Sequence, residues 1–496
     1  MRTLSLVMFA MLLMTAPLRA DEPVIVGSKN FTEGVVIGDL ATLVLRDAGF
    51  DATHRRSLGG TRVLFEALRN GQIDAYGDYT GTLSQELVPG TPPEVPALRK
   101  ALEPLGLGIT TSLGFNDTYA IAVRRELAES LGLRRISDLR DHPDLVVGVG
   151  NEFLGRSDGW PGLKAAYGLP QTDVRGLEHD LAVAALRDGA IDATDVYTTE
   201  AKIDPATMVL LEDDLAFFPP YQSVIVHRLD LADRTPGAIE ALATLEGRFD
   251  ESAVQAMNAA VEIDGRPEIE VAAEGLAAAL GVEIEATAAG PVRRILDRTL
   301  EHLRLVVIAM ALGIGIGIPA GVAAFRFPRA GRWILGLAGV LQTIPSLALL
   351  VFMIPLLGIG AAPAIAALFL YSLLPIVRNT ELGLRSIPPS LQESAAVLGF
   401  GAWERFRRIE LPLAMPAMLA GIRTSTVMII GFAVLGALIG AGGYGQPILN
   451  GVRLLDDRLI MEGAIPAAVM AIVAQGLLGF VERHAVSRGL RIRARS

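Results

Sequence analysis

After Leu303 the chain is dominated by long apolar stretches, whereas from Asp21 to about Ala288 charges are frequent and no apolar run is long enough to span a bilayer. A chain divided in this way has to build a water-soluble half and a membrane half. Its 496 residues are in any case too many for one ordinary core. The mean hydropathy of +0.43, high for a soluble protein, reflects the second half.

The membrane half offers candidate spans at roughly 303–325, 333–357, 360–377, 415–440 and 462–481. Each is near the length a helix needs to cross about 30 Å of hydrocarbon. With the soluble half outside, an odd number of spans leaves the C-terminus inside. The charges agree, because the tail ERHAVSRGLRIRARS and the first inter-span loop RFPRAGR are rich in arginine, while the outer loop after the fourth span holds Asp456, Asp457 and Glu462. Arg293, Arg294, Arg298 and Arg304 fall outside on this topology, so residues 286–302 are read as a linker and an amphipathic helix on the membrane surface.

Residues 1–20, MRTLSLVMFAMLLMTAPLRA, combine Arg2 with an apolar core from about Leu4 to Met14 and a small Ala20 where a signal would be cut. They read as a secretory signal or an uncleaved anchor, and either exports the soluble half, residues 21–285. The absence of cysteine rules out disulfides, a thiolate nucleophile and a Cys-ligated metal. A formal net charge of -10 argues against a nucleic-acid-binding surface. The scattered histidines make no H-E-x-x-H site and no Ser/His/Asp set can be nominated, so the expectation is a protein that is not an enzyme and carries neither cofactor nor metal.

The loop 378–412 alternates apolar and charged residues at helical spacing, is broken by Pro388 and Pro389, and presents Trp403 and Phe406 beside Arg405, Arg407 and Arg408. That suits a helix-turn-helix docking on a soluble partner. Within it, ESAAVLGFGAWERFRRIELP is similar to the coupling loop of ABC-importer permeases. Glu393, Ala395, Gly399, Ile409, Leu411 and Pro412 match that motif, and only Ser394 departs from it. The resemblance implies docking on an ATP-binding subunit, which must be a separate chain because no G-x4-G-K-[ST] loop occurs here. LQTIPSLALLVFMIPLLGIG and LYSLLPIVRNT look like permeases of glycine betaine, carnitine and choline importers. Gln342 and Thr343, polar within a span, make either a helix–helix hydrogen bond or a contact with solute. The Gly-rich segment near 436–446 lacks the lysine of a phosphate loop and reads as close helix packing or a gate hinge.

In the soluble half, short apolar strands such as PVIVGS, DLVVGVG and SVIVHR alternate with helical stretches, which argues for an α/β fold with mainly parallel sheets. ALRNGQIDAYGDYTGT at 67–82 returns as ALRDGAIDATDVYTTE at 185–200, placing Tyr79 over Tyr197. Two such copies suggest two lobes, each delivering its tyrosine at the end of a strand and facing the other across a cleft. The alternative is that both tyrosines merely fill core edges. Tyr119 and Tyr221 also sit at strand starts beside turn residues, and a box of aromatic faces suits a quaternary ammonium, which has no hydrogen bond to donate.

The whole soluble half resembles the two-lobed substrate-binding proteins of compatible-solute importers, with GSKNFTEG, DAYGDYTGT, GFNDTYA, FLGRSDG, DATDVYTT and FFPPYQS in the family's order. The resemblance implies that Tyr79, Tyr119, Tyr197 and Tyr221 box a trimethylammonium group and that Lys29, Arg156 and the Thr82 hydroxyl hold a carboxylate. Asn116 and Asp117 are further candidates for lining the site. Taken alone, Lys29 and Arg156 read as surface salt-bridge residues; in the cleft, two cations would oppose bare choline. The expected protein is a two-lobed binding domain fused to an all-α type I permease domain, residues 303–496, working as a homodimer with ATPase partners in a bacterial inner membrane. Glycine betaine is the expected solute, with ergothioneine, choline and carnitine as alternatives. A ligand-gated receptor or channel is the rival of another class.

Overall fold

The computed structural model describes residues 23–486 except 283, 285, 287, 289 and 455. The expected signal or anchor at 1–20 and most of the arginine-rich tail lie outside the described residues. The chain divides into two compact units, with the main break between residues 287 and 288.

The first unit has two lobes, each built on a five-stranded sheet. One sheet has the order β2-β1-β3-β10-β4, from β1 (Val24–Gly27), β2 (Ala52–Arg55), β3 (Ala75–Tyr79), β4 (Leu107–Ile109) and β10 (Ser223–Arg228). The other has the order β7-β6-β8-β5-β9, from β5 (Tyr119–Arg124), β6 (Val147–Gly150), β7 (Val174–Leu177), β8 (Ala193–Tyr197) and β9 (Met208–Leu211). The sheets are mixed rather than mainly parallel: β1 runs parallel to β2 and β3, but β10 is antiparallel to β3 and β4, and β5 is antiparallel to β8 and β9. The reason is topological. The chain crosses between lobes through residues 110–118 and 212–222, so β5 and β10 each enter their sheet from the opposite side. The two crossings pair with each other at Asn116 and Gln222.

The repeated segment has a structural cause that is the same in both lobes. After the helix Thr61–Arg69, Gly71 turns the chain at φ 69, and after α2 (His179–Arg187), which follows α1 (Thr32–Asp47), Gly189 does so at φ 77. Only glycine takes that left-handed step at no steric cost. The aspartate of each GxIDA then clips the neighbouring parallel strand, Asp74 accepting from the Ile25 amide at 2.8 Å and Asp192 from the Val146 amide at 2.9 Å. The frame thus fixes strand position, and the tyrosine at the end of each strand inherits its place.

The second unit is helical. Among the described residues four helices are long and apolar enough to cross a membrane, or up to five crossings if one bent pair counts as a span. In chain order its helices are α4 (Pro291–Arg326), α5 (Pro328–Thr343), α6 (Ser346–Leu357), α7 (Ala361–Arg385), α8 (Pro389–Val397), α9 (Leu411–Ala433), α10 (Gly445–Leu454) and α11 (Asp457–Ala485); α3 (Glu251–Glu262) belongs to the first unit. Two expectations need correction. Residues 291–302 are no separate surface helix but the first turns of the 36-residue α4. The second span is not straight, because α5 and α6 meet at 101° across Ile344 and Pro345. Proline has no amide proton and biases the preceding residue away from helix, and Ile344 is accordingly extended at ψ 128.

Helix α4 packs on α7 through a stripe of glycines. A Cβ at Gly313 would stand 2.2 Å from Ser372 Oγ, at Gly317 2.9 Å from Ile376, and at Gly321 2.5 Å from Thr380 Cβ. Small residues every fourth position let two backbones approach where no hydrophobic effect drives helices together. In the loop 378–412, α8 is followed by Gly399 at φ 84 and a helix that begins at Ala402 and continues into α9. Glu393 and Trp403 are exposed there and Ala395 is buried. Glu410 is buried, accepting from Arg326 at 2.6 Å and Arg405 at 3.1 Å, which ties the loop to the end of α4. Gln342 donates to Met428 Sδ at 3.6 Å and Thr343 to its own helix at Val340, so both bond within the helical unit.

Candidate ligand-binding site

The strand register brings the tyrosines together. Tyr119 opens β5 directly opposite Tyr197 at the end of β8, with ring centroids 5.1 Å apart. Tyr221, just ahead of β10, meets Tyr119 edge-on at 5.4 Å. Tyr79 closes β3 opposite Ser223. Tyr79 and Tyr197 do not simply face each other: Phe31 stacks against both, at 6.4 and 5.5 Å. Phe153 and Phe218 extend the cluster, 4.9 and 5.8 Å from Tyr119. All four predicted tyrosines are therefore in one aromatic group, and three phenylalanines join it. Sequence reasoning missed those three although they stand in GSKNFTEG, FLGRSDG and FFPPYQS, because it followed tyrosines alone.

The cations lie at the edge of this group. Lys29 is buried, 2.6 Å from Asp78, with its ammonium 5.4 Å from the Tyr79 ring centre. Arg156 is buried too, grips Asp158 through Nε at 2.8 Å and Nη2 at 2.6 Å, and lies 5.8 Å from the Tyr119 ring centre. Neither is a surface salt bridge. Each brings its own buried counter-ion, so the excess positive charge expected to oppose choline is absent. Asp158 also accepts from the Tyr221 hydroxyl at 2.6 Å, which joins the two lobes. Burial, then the Asp158 charge, pushes the Tyr221 hydroxyl far above the usual tyrosine range, so it remains a donor at any working pH.

Thr82 is buried in the helical turn after β3, next to Gly81, whose missing side chain lets the Tyr221 ring approach to 2.6 Å of where a Cβ would be. Asn116 is spent on the crossing segments, its Oδ1 accepting from the Tyr221 amide at 2.8 Å. Asp117 bonds to Thr199, accepting from its amide at 3.2 Å and lying 2.8 Å from its hydroxyl oxygen. Beside the rings a cleft of about 310 Å³ of non-atom space is lined by Phe31, Glu33, Asp117, Tyr197 and Glu200 among others. Glu33 there accepts from the Tyr79 hydroxyl at 2.6 Å.

With this geometry established, similarity to known proteins decides the family. Residues 22–278 match the model described as the substrate binding domain of ABC-type glycine betaine transport systems. The chain belongs to that family. Residues 313–491 match the binding-protein-dependent transport system inner membrane component. The glycine betaine/carnitine/choline transport system permease protein OpuCB of Bacillus subtilis is 44% identical over 197 residues, 40% of this chain and 91% of that protein. The osmoprotectant import permease protein OsmW of Salmonella typhimurium is 45% identical over 198 residues, 39% of this chain and 92% of the relative. A crystal structure of a glycine betaine/carnitine/choline ABC transporter aligns with 27% identity and a TM-score of 0.43, over 51% of this chain and 97% of the other. This glycine betaine-type protein is thus a substrate-binding domain fused to an ABC permease domain, and it is a membrane protein.

Proposed function

We propose that the binding domain captures a quaternary-ammonium zwitterion of the glycine betaine kind outside the bacterial inner membrane. The permease domain, as a homodimer, then passes it inward, driven by a separate ATP-binding subunit docked on residues 378–412. The observation that carries this reading is the ring group of Phe31, Tyr79, Tyr119, Tyr197 and Tyr221 with buried Lys29 and Arg156 at its edge. Aromatic faces attract a trimethylammonium group by about 0.5–2 kcal/mol per favourable ring. An ammonium and a guanidinium still have donors to offer a carboxylate after Asp78 and Asp158 are satisfied, and the Thr82 hydroxyl adds one more. The names of the permease relatives support the same solute class.

A second reading, a choline-like cation, is favoured by one feature: both cations are already neutralised by aspartates. Calorimetric titration of the full-length chain with glycine betaine, carnitine, ergothioneine and choline separates the two. A carboxylated ligand whose binding both Tyr197→Ala and Arg156→Ala weaken supports the zwitterion. Choline binding that ignores Arg156→Ala supports the cation. If none of the four binds, the solute lies outside this class.

A further inference from the structure

Behind the aromatic group, at the junction of the lobes, two buried carboxyls share one hydroxyl. Thr199, just past β8, places its Oγ1 2.5 Å from Glu33 Oε2 and 2.8 Å from Asp117 Oδ1. A threonine hydroxyl has a single hydrogen. It donates to one of these oxygens, and the other contact is a hydrogen bond only if a carboxyl proton supplies it. Glu33 already accepts from the Tyr79 hydroxyl at 2.6 Å and from Asn258 Nδ2 at 3.0 Å, which suits an ionised group. Among the described residues Asp117 bonds to Thr199 alone, accepting from its amide at 3.2 Å, so Asp117 is the acid and its proton makes the 2.8 Å bond to the hydroxyl. The chain of bonds then runs from Asp117 through Thr199 to Glu33, where the Tyr79 hydroxyl also ends.

We propose that Asp117 takes up one proton when the lobes close, that Glu33 and Asp117 through it position Tyr79, and that solute capture is thereby linked to external pH. The proposal rests on the reading of this cleft as the solute site. The lobes are the reason for the linkage. Glu33 starts α1 in the first lobe, whereas Thr199 and Asp117 flank the paired strands β8 and β5 of the second, so separating the lobes returns both carboxyls to water. In the closed form burial, reinforced for Asp117 by the Glu33 charge, pushes both carboxyls upward, Asp117 the further.

Among the described residues the nearby cations are taken up by other carboxylates. Glu200 adds negative charge from the end of β8 but is held by His179 of α2 at 2.9 Å; burial alone would lower that imidazole, and Glu200 with Asp195 instead lifts it to about 10, so it stays charged. Asp180 of the same helix is paired with Lys202. Asp195 of β8 is itself pushed up by burial. Glu262 of α3 is raised to about 7 by burial and so also titrates near neutrality.

The sign follows directly. A carboxyl whose value is raised in the closed form binds more protons closed than open, so closure is favoured at low pH and weakens as pH rises towards the raised value. One proton taken up corresponds to about a tenfold fall in affinity per pH unit over that window.

Two measurements on the full-length chain test this. The first records infrared spectra at pH 7 with and without glycine betaine: a protonated-carboxyl C=O band should appear when the wild type binds, and Asp117→Asn should abolish it. An unchanged spectrum in that variant overturns the proposal. The second titrates glycine betaine at pH 6 and pH 7 in buffers of different ionisation enthalpy. Wild type should take up close to one proton and lose about tenfold in affinity between the two values, while Asp117→Asn, neutral by construction, should do neither. Zero proton uptake in wild type overturns the linkage, and uptake that persists in the variant moves the proton to Glu262 and overturns the assignment. Absence of any binding heat in wild type fails the solute reading and the linkage with it, whereas binding heat without proton uptake overturns the linkage alone.

Discussion

Phe31 is the residue on which the aromatic group turns, because it stacks on both Tyr79 and Tyr197. Truncating it removes the ring that bridges Tyr79 and Tyr197 while leaving Lys29–Asp78 and Arg156–Asp158 untouched. Phe31→Ala should therefore weaken glycine betaine binding by roughly 5- to 30-fold, the value of one favourable ring at about 1–2 kcal/mol. Phe31→Tyr should retain most of the affinity and Phe31→Leu should not, since only an aromatic face supplies the attraction. Calorimetric titration of the three variants checks this. Legibility at this scale was uneven. The four tyrosines could be picked out because they are few and sit beside turn residues, but phenylalanine is common in cores, and nothing local distinguishes Phe31 from a core residue until its two partners are in place.

At the scale of elements the glycine stripe of α4 decides whether the helical unit closes. Gly321 is the one of the three whose Cβ would meet backbone as well as side chain, the Thr380 Cβ at 2.5 Å and the Val377 carbonyl at 2.8 Å. The carbonyl belongs to a helix and cannot swing aside. Gly321→Val should separate α4 from α7 at a cost of about 1–3 kcal/mol, in the range of overpacking a filled core. A lower thermal midpoint in detergent, with unchanged glycine betaine affinity at the first unit, is the expected result. The spacing of Gly313, Gly317 and Gly321 was present in the sequence, but a glycine stripe names no partner helix, and only the packed structure identifies α7. The bend at Pro345 was likewise hidden in a run long and apolar enough to pass for one straight span.

At the scale of the molecule the first unit has its two sheets and the second its helical core. Heating the full chain should then give more than one calorimetric transition. Glycine betaine at about a hundred times its Kd should stabilise one of them by about 2.7 kcal/mol and leave the other in place, since a ligand stabilises only what binds it. A single transition that moves as a whole would show instead that the units unfold together.

The sequence by itself determined the division into an α/β half and a membrane half, since hydropathy over a stretch of twenty residues needs no contact to be read. It also determined the twofold GxIDA frame, because Gly71 and Gly189 are required by local backbone conformation and Asp74 and Asp192 by a neighbouring strand. What only the tertiary structure decided are pairings across long separations. Lys29 with Asp78, Arg156 with Asp158 and Tyr221, and Glu33 with Thr199 and Asp117 each depend on where two lobes bring distant side chains. Charge in a buried site is set by those pairings, so the electrostatics of the cleft could be counted from the sequence but not balanced.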